Sequence, residues 1–205
     1  MTTDTGGDCG AVVLAAGAAR RFGRPKLLMP FGESTVVGSV VRALASAGVA
    51  PIVVVAGAEI EGIRLALAGE PVKVVCNASP DDGMLSSIRA GLEALPAVLG
   101  RFLVVLGDQP RIRGEDISRL IREHAASGSP VTIPVVGGKR GHPVVFIGAY
   151  RRRILDLADG LTLRDLMEAH RDDIIEVPCD FDAYVRDIDT REDYEHELRQ
   201  WHAER

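Results

Sequence analysis

Short, wholly apolar runs alternate along the first half of this chain with stretches in which apolar residues return every three or four positions. Residues 11–14 (Ala-Val-Val-Leu) are too few and too uniformly apolar for an exposed helix, and they predict a buried parallel strand. Runs of the same kind over 51–56, 72–76 and 102–106 predict three more strands. Between them, Val40, Val41, Leu44 and Ala45 carry a helical period, with Ser34 or Thr35 as its cap and Gly48 as its stop. Helices are predicted likewise over 60–68, ended near Gly69, and over 85–95, with Ser86 or Ser87 in the first turn. Strand–helix alternation with strands apolar on both faces implies an α/β fold. Its mostly parallel sheet is covered on both sides, and ligands lie at the carboxyl ends of the strands.

From about Pro110 the pattern changes. A helix is predicted over 117–126, a strand over 131–136, a tight turn at Gly137-Gly138 and a strand over 143–147. Helices follow over 149–157 and 163–169, short strands over 174–177 and 185–188, and a last helix from Arg191. No low-complexity linker or repeat interrupts residues 1–205, so one domain is expected, with polar, glycine-rich residues 1–9 as a flexible tail.

Composition narrows the function. A chain of 205 residues, 46% hydrophobic and 26% charged, is ordinary for a globular domain with a proper core. A net charge of −5 disfavours a broad nucleic-acid surface. Cys9, Cys76 and Cys179 are far apart, which argues against a structural zinc site or a disulfide framework and for a reducing cytoplasm. No apolar run approaches the roughly 20 residues of a membrane span.

Four stretches carry candidate chemistry. The first predicted strand runs into Leu14-Ala15-Ala16-Gly17, followed by Arg20, Arg21, Arg24 and Lys26. Small residues let a loop backbone approach a ligand and aim N–H groups at phosphate oxygens, and the cations add charge. The spacing is neither that of a dinucleotide fold nor that of an ATPase phosphate loop. Gly107-Asp108-Gln109-Pro110 follows the fourth strand; its Asp108 either leads a turn or faces the ligand crevice as a hard oxygen ligand for Mg²⁺. In Asp187-Ile188-Asp189-Thr190-Arg191-Glu192-Asp193, alternation places Asp187 and Asp189 on one side of a strand. Helix capping explains Thr190, Glu192 and Asp193 but not Asp189. Residues 77–88, from Asn77 through Gly83, Ser86 and Ser87, read either as an ordinary capped helix or as donors for a nucleobase. His142, in Arg140-Gly141-His142-Pro143, is either structural or an acid, base or phosphate holder in the crevice. His124, His170, His196 and His202 fall on predicted helices and are expected at the surface.

Leu14-Ala15-Ala16-Gly17, then Arg21-Phe22-Gly23 and Lys26-Leu27-Leu28, resembles the signature loop of nucleotidyltransferases that make activated sugars and molybdenum cofactor dinucleotides. Within that superfamily the chain most resembles the molybdenum cofactor cytidylyltransferase-like branch. The resemblance implies a Rossmann-like three-layer α/β/α sandwich in which Leu14, Ala15, Ala16, Gly17, Arg21 and Lys26 wrap a triphosphate. It implies Mg²⁺ on Asp108 and on Asp189, the aspartate just before the threonine, and base or ribose contacts from Asn77, Gly83, Ser86 and Ser87. Arg21, Lys26 and Asp108 become the expected catalytic set. His142 and Pro143 match the acceptor side of the cleft. A Gly-Asp-x-Gly-Ala-Arg stretch of the family is replaced here by 159–165, where Arg164 stands in for its arginine. Arg191 replaces a proline, which touches the cap more than the metal.

The implied activity is transfer of a nucleoside monophosphate from an NTP to a phosphate-bearing acceptor such as molybdopterin, releasing pyrophosphate. Ala16, where guanylyl-transferring relatives resemble glycine, favours CTP. A molybdoenzyme or its chaperone is an implied partner; nucleic acid and membrane are not. The alternatives are a repurposed fold that binds a nucleotide or cofactor or does redox chemistry, and a sugar-phosphate nucleotidyltransferase.

Overall fold

A computed structural model describes residues 8–17 and 22–204. Arg20 and Arg21 of the signature loop, and most of the expected tail, lie outside the described residues. The first strand, β1 (Cys9–Ala15), begins inside that tail: Cys9 is buried and pairs with Arg101, because a thiol in this position behaves as a small apolar group.

Chain order then gives β2 (Pro30–Phe31), β3 (Ser34–Thr35), α1 (Val36–Ser46), β4 (Ile52–Ala56), α2 (Ile60–Ala66), β5 (Val72–Cys76), α3 (Met84–Ala94) and β6 (Arg101–Leu106). The second half holds α4 (Gly114–Ser127), β7 (Val131–Val136), β8 (Lys139–Arg140), β9 (Val144–Ile147), α5 (Tyr150–Leu155), α6 (Leu163–Ala169), β10 (Ile174–Pro178) and α7 (Arg191–Ala203). Thr35 caps α1 by accepting from the Gly38 amide at 3.1 Å, one of the two caps expected.

The main sheet runs β10-β7-β9-β6-β1-β4-β5, with β8 paired to β7. Neighbours in β6-β1-β4-β5 and β10-β7 are parallel; β9 is antiparallel to β6 and β7. The resulting three-layer sandwich with a mostly parallel sheet is the architecture the sequence implied. Alternate residues of β1 divide the core. Ala11, Val13 and Ala15 pack with α1, α2 and α4, while Val12 packs with Leu85, Ile88 and Leu92 of α3 and with α5 and α6.

Two expectations are corrected. Residues 185–188 form no strand: a 3₁₀ turn (Asp182–Val185) leads into extended chain without ladder partners. Only Ile188 in this segment is fully buried, and it is fixed by one bond, its amide donating to the Asp108 carbonyl at 3.1 Å. His124 is buried on α4, one helical step from Leu120 and Ile121, with Nδ1 2.9 Å from the Thr132 hydroxyl of β7. No helix among the described residues is long and apolar enough to cross a membrane.

Candidate active site

The site is assembled where β1 and β6 end side by side. Gly107 donates its amide to the Leu14 carbonyl at 3.0 Å, and a Cβ on Gly107 would lie 2.8 Å from that oxygen. Only glycine permits so close an approach, and it delivers the next residue, Asp108, to the mouth of the signature loop. Leu14 thus serves through its backbone; its side chain is half-buried.

Lys26 opens a 3₁₀ turn (Lys26–Leu28) whose Leu27 is buried. Its Nζ donates to Asp108 Oδ2 at 2.7 Å and to Asp189 Oδ1 at 3.1 Å. Asp108, Asp187 and Asp189 each offer a carboxylate oxygen, and the three lie within 4.8 Å of one another. Burial pushes the Asp108 carboxyl above its usual range against the pull of Lys26, and the Asp187 charge adds to the rise. Burial works against the Lys26 charge, yet Asp108 and Asp189 outweigh it and hold the ammonium above its ordinary pKa. Hard oxygen donors converging on one point suit a divalent cation such as Mg²⁺. The third carboxylate, Asp187, went unassigned in the sequence reading; the Asp-Ile-Asp alternation was its signal, with buried Ile188 as the pin between the two acids.

Two supports orient the C-terminal acids. The Asp193 carboxylate accepts from the amides of Asp189 and Thr190 and from the Thr190 hydroxyl, which fixes Asp189 at the start of α7. Arg111, three residues beyond Asp108, is buried and bonds Glu197 of α7 at 2.7 Å, as well as Asp182 and Glu204. Sequence pattern alone gave no sign of this hub.

A cavity of about 560 Å³ is lined by Ala15, Ala16, Gly17, Arg24, Lys26 and Gly57 among others. A second, of about 1060 Å³, is lined by Asn77, Gly83, Ser86 and Arg164, together with Met84, Arg89 and Leu161. The turn Pro80–Asp82 separates them, with Pro80 and Asp81 facing the first and Ser79 and Asp82 the second. Gly83 starts α3 at φ +87°, a conformation side-chain-bearing residues rarely adopt. Asn77 is nearly buried and donates to Ser86 Oγ at 2.8 Å and Ser87 Oγ at 2.9 Å. Ser87 is itself buried and lines neither cavity, so its hydroxyl serves Asn77.

Loop residues and Lys26 therefore share one cavity, and Asn77, Gly83, Ser86 and Arg164 share the other. His142 and Pro143 line neither. The His142 amide donates to the Tyr184 carbonyl at 2.8 Å, and burial lowers its imidazole to about 4. Burial favours the neutral ring, which weighs against a cationic phosphate holder and leaves hydrogen bonding or proton exchange as its expected roles.

Residues 11–174 match the MobA-like NTP transferase domain. This chain belongs to that family. The match stops short of Asp187 and Asp189, so two members of the acidic cluster lie outside it. The domain is 30% identical over 189 residues to nicotine blue oxidoreductase of Paenarthrobacter nicotinovorans, covering 88% of this chain and 92% of that protein. It is 29% identical over 146 residues to a probable molybdenum cofactor guanylyltransferase of Bacillus mycoides, covering 71% and 70%. Against the bifunctional protein GlmU of Kineococcus radiotolerans it is 36% identical over 137 residues, 65% of this chain but only 28% of that one. Among solved structures, a nucleotidyl transferase from Methanothermobacter thermautotrophicus superposes with a TM-score of 0.83 at 26% identity, covering 98% of this chain and 100% of that one. Rv0371c of Mycobacterium tuberculosis, in complex with manganese, superposes with a TM-score of 0.75 at 26% identity, covering 94% and 98%. The family and its structural neighbours support a nucleotidyltransferase without selecting the cytidylyl branch.

Proposed function

We propose that this transferase moves a nucleoside monophosphate from an NTP, with CTP preferred, to a phosphate-bearing acceptor such as molybdopterin, releasing pyrophosphate. The observation that carries the reading is the convergence of Lys26, Asp108, Asp187 and Asp189 beside the loop Ala15-Ala16-Gly17. Asp108 and Asp189, with Asp187, are the residues that would hold a divalent cation, Mg²⁺ or the manganese seen with Rv0371c. Such an ion supplies Lewis-acid neutralisation of phosphate charge.

The chain's own part is positioning. Backbone amides of the loop and the charges of Lys26 and Arg21 bind the β- and γ-phosphates. Gly83 and Ser86, at the start of α3, contact base or ribose, and Asn77 holds Ser86 in place. Arg164, across the larger cavity, faces the acceptor. An acceptor phosphate oxygen attacks the α-phosphorus in line; its new P–O bond forms as the bond to the β-phosphate breaks, and pyrophosphate leaves. No protein nucleophile is required. The test is a screen of the four NTPs with Mg²⁺ or Mn²⁺ for thermal stabilisation, followed by pyrophosphate release with molybdopterin. Metal-dependent stabilisation by CTP is expected; indifference to all four would overturn the reading.

A second reading follows from the near-full-length likeness to nicotine blue oxidoreductase: the same fold serving redox chemistry. It predicts stabilisation by a nicotinamide or flavin cofactor in that screen, with no metal requirement.

A further inference from the structure

Lys26 occupies an unusual place for a residue whose expected work is to hold phosphate. Its ammonium lies against Asp108 Oδ2 and Asp189 Oδ1, two of the carboxylates proposed to hold the metal. We infer that Lys26 is a built-in counter-cation of this acidic cluster, and that metal and triphosphate bind as a coupled pair because the lysine must leave the carboxylates before a divalent ion is held there. This rests on the metal reading above.

The physical case has three parts. Three carboxylates with oxygens within 4.8 Å repel one another, and in the described structure the Lys26 ammonium offsets part of that charge. A divalent ion drawn to the same oxygens meets that ammonium as a like charge at contact distance. Lys26 also has somewhere to go: it lines the cavity of about 560 Å³ together with Ala16, Gly17 and Arg24. Its backbone is pinned, with the Leu28 amide on the Pro25 carbonyl and the Met29 amide on the Lys26 carbonyl, so the flexible side chain alone can make the move. A triphosphate in the cavity offers the ammonium a new anionic partner. Without it, the ion has to displace Lys26 uncompensated. Thermodynamic linkage then requires each ligand to raise the affinity for the other by the same factor.

Mn²⁺ binding read by electron paramagnetic resonance tests the idea without turnover. The folded proteins are compared with and without α,β-methylene-CTP, in wild type, Lys26→Met, Lys26→Gln and Arg24→Met. Arg24 is an exposed cation of the same cavity and reports the effect of charge alone. Without nucleotide, both Lys26 variants should bind Mn²⁺ more tightly than wild type, by about fivefold or more, and the enhancement by nucleotide should shrink. Arg24→Met should bind it as wild type does. Lys26 variants that bind Mn²⁺ no more tightly than wild type, or an Arg24→Met gain of equal size, would overturn the inference while leaving the metal reading intact. No Mn²⁺ binding by any protein in either state would overturn the metal reading and the inference with it. A second measurement needs no variant: the ¹⁵N signal of the Lys26 ammonium should shift when Mg²⁺ and nucleotide saturate the wild-type protein, and an unmoved signal would also overturn it.

Discussion

Asp108 illustrates how much a single side chain depends on its neighbour's lack of one. Gly107 lets β6 finish against the Leu14 carbonyl, and Asp108 is delivered to Lys26 and to the two acids from the far end of the chain. Asp108→Asn keeps the shape and an acceptor for Lys26 but loses the charge. We expect turnover to fall by about 100- to 1,000-fold, equivalent to about 3–4 kcal/mol of transition-state stabilisation, with an unchanged melting profile. Wild-type rates in a folded Asp108→Asn protein would refute its role. On the proposed function, base choice is assigned to Ala16, whose methyl group lines the loop cavity next to the Pro80–Asp82 turn that leads to Gly83. Ala16→Gly should narrow the preference for CTP over GTP, which one methyl group sets at about 1–3 kcal/mol. Competitive binding of the two nucleotides to both proteins checks this, and tighter GTP than CTP binding by wild type would end it. The structure brings Lys26, Asp108 and Asp189 together, and each stood out in the sequence for its motif: Lys26 closes the signature loop, Asp108 follows a strand end, and Asp189 precedes a helix cap that does not explain it. Ser87, expected at a base or ribose, is buried against Asn77; a serine in a first turn looks the same in sequence in either place.

At the scale of elements, the C-terminal helix holds the acidic cluster in place from outside the family match. Thr190 and Asp193 cap α7, and Arg111 reaches from the loop after β6 to Glu197 within it. The Arg111 and Glu197 side chains are each only 2% exposed, so removing Arg111 leaves the Glu197 carboxyl buried without its guanidinium partner. Arg111→Met should therefore destabilise the fold by roughly 3–5 kcal/mol, whereas Arg111→Met with Glu197→Leu should recover most of that loss. Urea denaturation of the two variants against wild type decides it; equal stability of the single variant and wild type would show that the pair does not act as a unit. Strands and helices with a clean period were readable, since burial imposes that period. The 185–188 segment was not, because an isolated Ile188 between acids mimics the alternation of a strand while its backbone makes a single long-range bond. The Arg111 hub joins residues 71 to 93 positions apart, a separation no local pattern records.

For the whole molecule, the layers are joined by buried polar contacts as well as by apolar packing, and one of these makes stability depend on pH. His124 closes α4 against Thr132 of β7, and burial, helped by the Arg101 charge, lowers its imidazole from the ordinary 6.5 to about 4. Above pH about 6.5 neither folded nor unfolded chain protonates this group, so its full contribution is present. Between 6.5 and about 4 the unfolded chain takes up a proton that the folded chain refuses, and stability falls as the pH falls. Below about 4 both states are charged and the dependence levels off. At about 1.4 kcal/mol per pH unit the loss across that window is on the order of 3 kcal/mol. His142 is lowered in the same direction, so the wild-type protein carries more than one such contribution. The difference between wild type and His124→Gln isolates this one. Urea midpoints measured from pH 7.5 to 4 should fall more steeply for wild type than for His124→Gln, whatever the variant's starting stability. Parallel pH profiles for the two proteins would show that the folded and unfolded chains protonate His124 alike and that its burial against β7 does not set its titration.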